Sequence, residues 1–370
     1  MKNYLNFEKE IKNIESEIDK LKDPYNNEGI STVDTAKIDK LQFDLDKKLE
    51  DIYSNLDPWQ TTLVARHEDR PKSKFFIDNL FVNFFPLSGD RLFGEDKSSI
   101  AGLANFEGHS VMVIGQEKGN DLNTRIERNF GMMRPEGYRK SIRLMKIADK
   151  FGLPVIIFID TPGAYPGVGA EERGQAEAIA KSIESSLSLG VPTISIIIGE
   201  GGSGGAIALA SSNKILMFEN AIYSVISPEG CASILWRDPT KTLEAATAMK
   251  LTSKDLLELK IIDEIIMEPS GGAHRDKDDI LLKVKKSISR SLGELTTMSR
   301  QDIIEHRKNK FLNIGRERGL STGTLSSDQL FSEGLNKIFY VKNKIWKKKT
   351  LIFLIILTIA VSFLSLLYLR

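Results

Sequence analysis

Val155-Ile156-Ile157-Phe158-Ile159 followed by Asp160-Thr161-Pro162-Gly163-Ala164-Tyr165-Pro166-Gly167, and Ile194-Ser195-Ile196-Ile197-Ile198 followed by Gly199-Glu200-Gly201-Gly202-Ser203-Gly204-Gly205-Ala206, decide the fold of this chain. Each apolar run reads as a strand buried on both faces of a parallel sheet, and each glycine-rich turn leads into a helix. A turn without side chains lets backbone N–H groups approach a ligand, and the helix start behind it adds a partial positive charge. Two such turns suit a site where negative charge develops.

Several chemistries use glycines in this way. A P-loop needs Gly-Lys-Ser/Thr, but Gly204-Gly205 is followed by Ala206-Ile207, so the Asp-x-x-Gly of Asp160-Thr161-Pro162-Gly163 stands without its phosphate-binding lysine. Gly201-Gly202-Ser203-Gly204-Gly205 matches the Gly-x-Ser-x-Gly of a nucleophile elbow, which requires an acid and then a histidine downstream. Only His274 and His306 follow, both in charged stretches that do not mark a base. An oxyanion hole made of backbone amides needs no reactive side chain at all. Close packing between helix and strand explains one or two glycines, but it strains to explain five in the seven residues from Gly199 to Gly205.

Outward from the turns, Val111–Ile114, Ile215–Phe218 and Ile222–Ile226 read as further short strands. Ala176, Ile179, Ala180, Ile183 and Leu187 form the expected buried stripe of the intervening helix. The recurrence of strand and helix every ~40 residues fits a repeating superhelix, and periodicity alone also allows a doubly wound sheet. Upstream, Ile11, Ile14, Ile18 and Leu21 mark one helix face, Asp23-Pro24 and Gly29 break it, and Ile38, Leu41, Leu45, Leu49 and Ile52 mark a second. The pair predicts an antiparallel hairpin that serves packing or subunit docking. Asp57 and Pro58 open a short helix as cap and first-turn residue, and Leu281–Leu292 and Ile303–Leu312 predict C-terminal packing helices. The expected organisation is a hairpin over 1–56, a main domain over 57–320, a polar then basic linker over 321–350 and an apolar segment over 351–369.

Composition narrows the function. A net charge of +1 over 370 residues offers no basic excess, so nucleic acid is not an expected partner. Cys231 is the single cysteine, which excludes a disulfide framework and a cysteine-cluster zinc site within this chain. The N-terminus lacks the apolar core of a signal peptide, so a reducing, cytoplasmic setting is expected. Leu351 to Leu369 is nevertheless free of charge and follows Lys342, Lys344, Lys347, Lys348 and Lys349. A span of this length with lysines before it predicts a C-terminal anchor on the cytoplasmic face of a membrane, with Ser321–Glu333 inside its linker.

Five segments carry a family resemblance. They are Phe130-Gly131-Met132-Met133-Arg134-Pro135-Glu136-Gly137-Tyr138-Arg139-Lys140, Asp160 to Gly174, Gly199 to Ala206, Ser227-Pro228-Glu229-Gly230-Cys231-Ala232-Ser233-Ile234-Leu235-Trp236, and Gly271-Gly272-Ala273-His274-Arg275. Together they resemble the alpha subunits of bacterial acetyl-CoA carboxylase carboxyltransferase, over roughly the first 320 residues. The resemblance implies an α/β fold, a crotonase (ClpP-like) superhelix of ββα units with an N-terminal helical hairpin and C-terminal helices. It implies transfer of a carboxyl group from carboxybiotin on a carrier protein to acetyl-CoA, giving malonyl-CoA for fatty acid synthesis. An enolate and a ureido oxyanion develop on that route, and the family positions that meet one of them match Gly204 and Gly205. Deprotonated biotin can take the methyl proton itself, so no enzyme histidine is required. The implied partners are a beta subunit with the other oxyanion hole and a zinc ribbon, in a two-alpha, two-beta assembly, the biotin carboxyl carrier protein and an ATP-using biotin carboxylase. No metal is implied in this chain.

Weaker expectations attach to Gly163, Gly201, Gly202, Arg134 and Glu229 as substrate-side residues. Glu229 also suits the positive end of a helix capped by Ser227, and Arg134 and Arg139 suit either an anionic ligand or an interface ion pair. Tyr165 and Trp236 read as core or interface aromatics, and Glu171 and Glu172 as favouring a helix start. Two other function classes fit a crotonase-like chain: an acyl-CoA hydratase or isomerase, for which Glu200 is the one acid near the loop, and a non-catalytic membrane scaffold for the carboxylase.

Overall fold

The apolar runs become the centre of one eight-stranded sheet in the computed structural model, which describes residues 3–23 and 35–316. The strands are β1 (Val82–Pro86), β2 (Ser99–Phe106), β3 (His109–Gln116), β4 (Val155–Thr161), β5 (Thr193–Gly202), β6 (Lys214–Phe218), β7 (Ile222–Ser224) and β8 (Glu264–Ile266). Their order is β1-β2-β3-β4-β5-β6-β8, with β7 paired to the end of β5. From β3 to β8 all pairings are parallel, and β1 and β2 form an antiparallel edge. Every residue of β4 is buried, as an uninterrupted apolar strand between helical layers must be. Phe76, Phe158 and Phe218 meet at its centre, with Phe76 stacked on Phe158 at 5.5 Å and edge-on to Phe218 at 5.6 Å.

Strand β2 has no counterpart in the sequence expectation, because Ser99, Gly102 and Asn105 interrupt its apolar pattern. It is recruited by a tight hairpin, with Phe106 opposite His109 across Glu107 and Gly108, both with positive φ (48° and 87°). That is the backbone of a two-residue primed turn, written here with Glu-Gly in place of the more recognisable Asn-Gly. β7 is also shorter than the expected Ile222–Ile226 run.

The helix Gln175–Ser188 corrects the expected stripe. Ala176 and Ala180 are exposed and Ile179, Ile183 and Leu187 only half-buried, whereas Ala178, Ser182, Ser185 and Ser186 are buried. Ser182 Oγ donates to Ala208 O and Ser186 Oγ to Ser211 O, both at 2.7 Å, so small hydroxyl residues let this helix lie close against Ser203–Ala210. The bulkier Ile179 is turned toward Gly204.

Helices Lys9–Lys22 and Thr35–Tyr53 pack through Ile11, Ile18, Leu45 and Leu49. Lys37 reaches Glu17 and Lys48 reaches Glu10, so the pair runs antiparallel as expected. Arg275 ties the hairpin to the remainder by donating to Glu8 and Glu15. Asp57 caps the helix Pro58–Ala65 through the Gln60 N–H at 2.7 Å. At the other end, Arg307 on the helix Arg300–Asn313 is fully buried and donates to Leu189 O, Val191 O and Asn213 Oδ1, which pins that helix to the start of β5. Among the described residues no helix is long and apolar enough to cross a membrane. The expected linker over 321–350 and apolar segment over 351–369 lie outside the described residues.

Candidate active site

The first turn of interest is built by collision. Strand β5 ends at Gly202 and passes directly into the helix Ser203–Ala210. A Cβ on Gly202 would stand 2.2 Å from Pro162 O, and one on Gly205 would stand 2.5 Å from Gly163 C and 2.8 Å from Ala164 N. The two glycine turns therefore touch backbone to backbone, and side chains at 202 and 205 would push them apart. Gly204 differs. A Cβ there meets only Ile179, at 3.5 and 3.7 Å, in ordinary contact, and its φ is not positive. Neither packing nor conformation requires a glycine at 204.

The amides at this helix start have no acceptor within their own helix, since the first-turn N–H groups of any helix lack one. The Gly202 cap position supplies no side chain, and neither Gly204 N–H nor Gly205 N–H bonds to the backbone outside the helix. Gln116 Nε2 donates to Gly205 O at 2.9 Å and fixes the turn from beneath. Thr161 Oγ1 donates to Gly163 O at 2.7 Å and does the same for the other turn. Ser203 is exposed with φ 51°, a left-handed conformation that non-glycine residues adopt at a cost of about 1–3 kcal/mol. Beside Ser203 and Gly204 opens an apolar cleft of about 760 Å³, lined by Ile207, Tyr223, Val225 and Met249 among others.

A second, charged cavity of about 280 Å³ adjoins Pro162 and shares no lining residue with the first. Lys118 Nζ lies 2.8 Å from Asp160 Oδ1 and 2.6 Å from Glu200 Oε2. Arg66 donates through Nε to Glu200 and through Nη1 to Glu229, both at 2.6 Å. Burial pushes the Glu200 carboxyl up, but Lys118 and Arg66 outweigh it and hold it at about 2. Lys72 lines the same cavity and donates only to the Glu68 and Arg70 carbonyls, and burial lowers its ammonium to about 8. His67 stacks on His274 with ring centroids 3.8 Å apart, and burial with the neighbouring His67, Arg70 and Arg275 holds His274 neutral, down to about 2.

A family model described as acetyl co-enzyme A carboxylase carboxyltransferase-like matches residues 4–315. The chain belongs to that family. It is 75% identical over 319 residues to the acetyl-coenzyme A carboxylase carboxyl transferase subunit alpha of Pelagibacter ubique (strain HTCC1062), covering 86% of this chain and 87% of the relative. It is 56% identical over 315 residues to the protein of the same name from Zymomonas mobilis subsp. mobilis, covering 85% of this chain and 100% of the relative. Among solved structures, a transcarboxylase 12S with methylmalonyl-coenzyme A and methylmalonic acid bound superposes with a TM-score of 0.52 at 16% identity. The match covers 63% of this chain and 42% of that one, so the chain spans less than half of it. The likeness is one of fold, and it resolves the choice left open by periodicity in favour of the crotonase-like spiral over the doubly wound sheet.

Within this family frame the residues singled out from sequence divide. Gly204, Gly205, Gly202 and Gly163 converge where the two turns touch, and a Cβ on Gly201 would press on Tyr223 and Ile222 at 3.0 and 3.2 Å. Arg134 lies over the Tyr165 ring at 4.6 Å and has no carboxylate partner among the described residues. Arg139 is spent inside the chain on Asp90 and Glu136. Ser227 caps its helix through the Gly230 N–H at 3.1 Å, and Glu229 answers Arg66. Glu171 and Glu172 are exposed and belong to a separate short helix, Val168–Glu172, preceding the one they were expected to favour. No histidine hydrogen-bonds Ser203: His274 stacks on His67, and His306 meets Asn213 at 3.2 Å. Among the described residues no cluster of three or more His, Cys, Asp or Glu side chains is placed to hold a metal ion. Sequence reasoning missed Arg66, Lys118 and Asp160 as one network, since its partners stand 40 to 163 positions apart. The local signal is a pair of acids, Asp160 and Glu200, each placed near the end of an apolar strand.

Proposed function

We propose that this chain is the half of an acetyl-CoA carboxylase carboxyltransferase that binds a developing oxyanion through the Gly204 and Gly205 amides. Gly204 carries the reading: it is the glycine of the turn that the fold does not need, at a helix start with unanswered N–H groups beside an open cleft. Two backbone donors and the helix dipole stabilise an oxyanion more in the transition state than in the ground state, and one such donor is worth about 2.7–4 kcal/mol. The substrates are acetyl-CoA and carboxybiotin on a carrier protein, and the products are malonyl-CoA and biotin. Gly163, Gly201 and Gly202 shape the approach, and Arg134, over the Tyr165 ring and without a carboxylate partner among the described residues, meets an anionic group of the substrate. Glu229, already paired with Arg66, acts through position and not through substrate contact.

The relatives are alpha subunits by name, and a split site follows: the second oxyanion hole and a zinc ribbon come from a beta subunit, in a two-alpha, two-beta assembly. A biotin carboxyl carrier protein and an ATP-using biotin carboxylase supply carboxybiotin. The tail from Leu351 to Leu369, beyond the region matched by the family, anchors the cytoplasmic enzyme to a membrane. The hydratase or isomerase alternative needs a titrating acid aimed at an acyl chain, and Glu200, held ionised by two cations, does not meet that need.

The test is malonyl-CoA formation from acetyl-CoA and carboxybiotinylated carrier. Turnover is expected when the chain is mixed with its beta subunit and none from the chain alone. Appreciable turnover by the isolated chain contradicts the split site, and no turnover in any mixture favours the scaffold.

A further inference from the structure

The parallel ladder between β4 and β5 is broken at the place where the site begins. Ile159 is opposite Ile197, but Thr161 is opposite Gly201, so β5 carries two more residues than β4 across this interval. Pairing with β4 therefore does not set the path of Ile198 to Glu200, although Glu200 is paired with Ile222 of β7 on its other side, and side chains take over groups freed on the β4 side. Arg70 Nε donates to Ile198 O at 2.7 Å, with its guanidinium held by the buried Glu268. The Glu200 N–H donates to Asp160 Oδ1 at 3.0 Å. Lys118, just past the end of β3, bridges the Asp160 and Glu200 carboxylates, and Arg66, just past the helix Pro58–Ala65, bridges Glu200 to Glu229.

We propose that Lys118 and Arg66 are positioning residues for carboxyl transfer, a clamp that fixes the turns at Asp160, Glu200 and Glu229 relative to one another so that the Gly204 and Gly205 amides converge. The proposal rests on the carboxyltransferase reading for its kinetic consequence, but the clamp itself is a statement about the Glu200 segment. Between them the two cations join all three turns, and they do so where the β4–β5 ladder gives no support. A planar guanidinium is suited to this, because its Nε and Nη1 reach two different carboxylates in a fixed fork, whereas an ammonium is a point charge. An oxyanion hole is sensitive to such control, since displacement of a donor by about 1 Å can cost a hundredfold in rate.

The decisive experiment uses the full chain, alone and assembled with its beta subunit, as wild type, Arg66→Lys, Glu229→Gln and Lys118→Arg. Arg66→Lys keeps the charge and loses the fork; the expected result is a kcat lower by about tenfold with KM for acetyl-CoA unchanged. Hydrogen exchange at the Glu200 amide is expected to quicken in the chain alone, while exchange in β3 and β6 and the melting temperature stay as in wild type. Glu229→Gln, at a half-exposed side chain, gives the same pattern more weakly, and Lys118→Arg retains most of the rate by preserving both contacts. If Arg66→Lys does not fold, Glu229→Gln decides. Unchanged exchange at Glu200, or a rate loss that follows only the melting temperature, overturns the clamp. An inactive wild-type assembly would instead refute the carboxyltransferase reading, and the exchange measurement would still judge the clamp.

Discussion

Two cavities flank the same pair of turns and are built on contrary principles. The cleft beside Gly204 is apolar and bordered by bare backbone, whereas the cavity beside Pro162 is charged, with Arg66, Lys118, Asp160 and Glu200 paired to one another along its wall. The difference shows how the fold separates doing from holding. On the proposed reading the amides that meet a transient oxyanion cannot be answered by protein groups in advance, and the strand behind them is held by the mutually paired Arg66, Lys118 and Glu200. Buried charges suit that task, because their partners are specific in direction and each lost partner leaves an expensive orphan.

The largest way to break the holding side is Lys118→Met. It leaves Asp160 and Glu200 facing each other without their shared cation, and a loss of about 3–5 kcal/mol of stability is expected from urea unfolding. A loss below about 1 kcal/mol would show that solvent replaces the lysine at little cost. On the bare side, Gly204→Val is expected to lower kcat by about a hundredfold to a thousandfold with the fold intact, whereas Gly205→Val destabilises the chain as well through its clash with Gly163. Equal melting temperatures for the two variants would contradict the distinction between the glycines.

Acid sharpens the comparison further. Glu200 is held at about 2 against an ordinary 4.5, so its contribution is complete above about pH 4.5 and disappears as pH falls toward 2. His274 is held neutral at about 2 against an ordinary 6.5; being favoured uncharged in the fold, it contributes fully above pH 6.5 and progressively less below it. Melting temperature should therefore begin to decline below pH 6.5, and His274→Gln should flatten the decline between pH 6.5 and 4.5 while leaving the steeper fall below. An unaltered profile would remove His274 from the account. The smallest expected effect belongs to Ser203→Ala, within about threefold of wild-type turnover, because no histidine hydrogen-bonds the hydroxyl and the proposed chemistry uses no serine nucleophile. A loss of several orders of magnitude with an acylated serine in the wild type would establish the nucleophile elbow.

What was legible in sequence follows the range of the interactions. β3 to β6, the hairpin helices and the caps at Asp57 and Ser227 depend on neighbours a few residues apart, so apolar runs and capping residues announce them. The glycine turns were legible for the same reason. The inward face of Gln175–Ser188 was not, since serines that bond a neighbouring helix look polar and its isoleucines look like core. The distinction between Gly204 and Gly205 was invisible because it depends on Gly163, 42 positions before Gly205. The clamp was hidden in the same way, as Arg66, Lys118 and Glu200 carry no shared local pattern.

The most direct test of the central claim removes the Gly204 N–H and nothing else. Replacing the peptide bond before Gly204 by an ester, with glycolic acid in place of the glycine, deletes one donor without adding a side chain. Malonyl-CoA formation by this chain assembled with its beta subunit is predicted to fall by about a hundredfold to a thousandfold at unchanged melting temperature. Turnover within about threefold of wild type would contradict the claim that this amide meets the oxyanion.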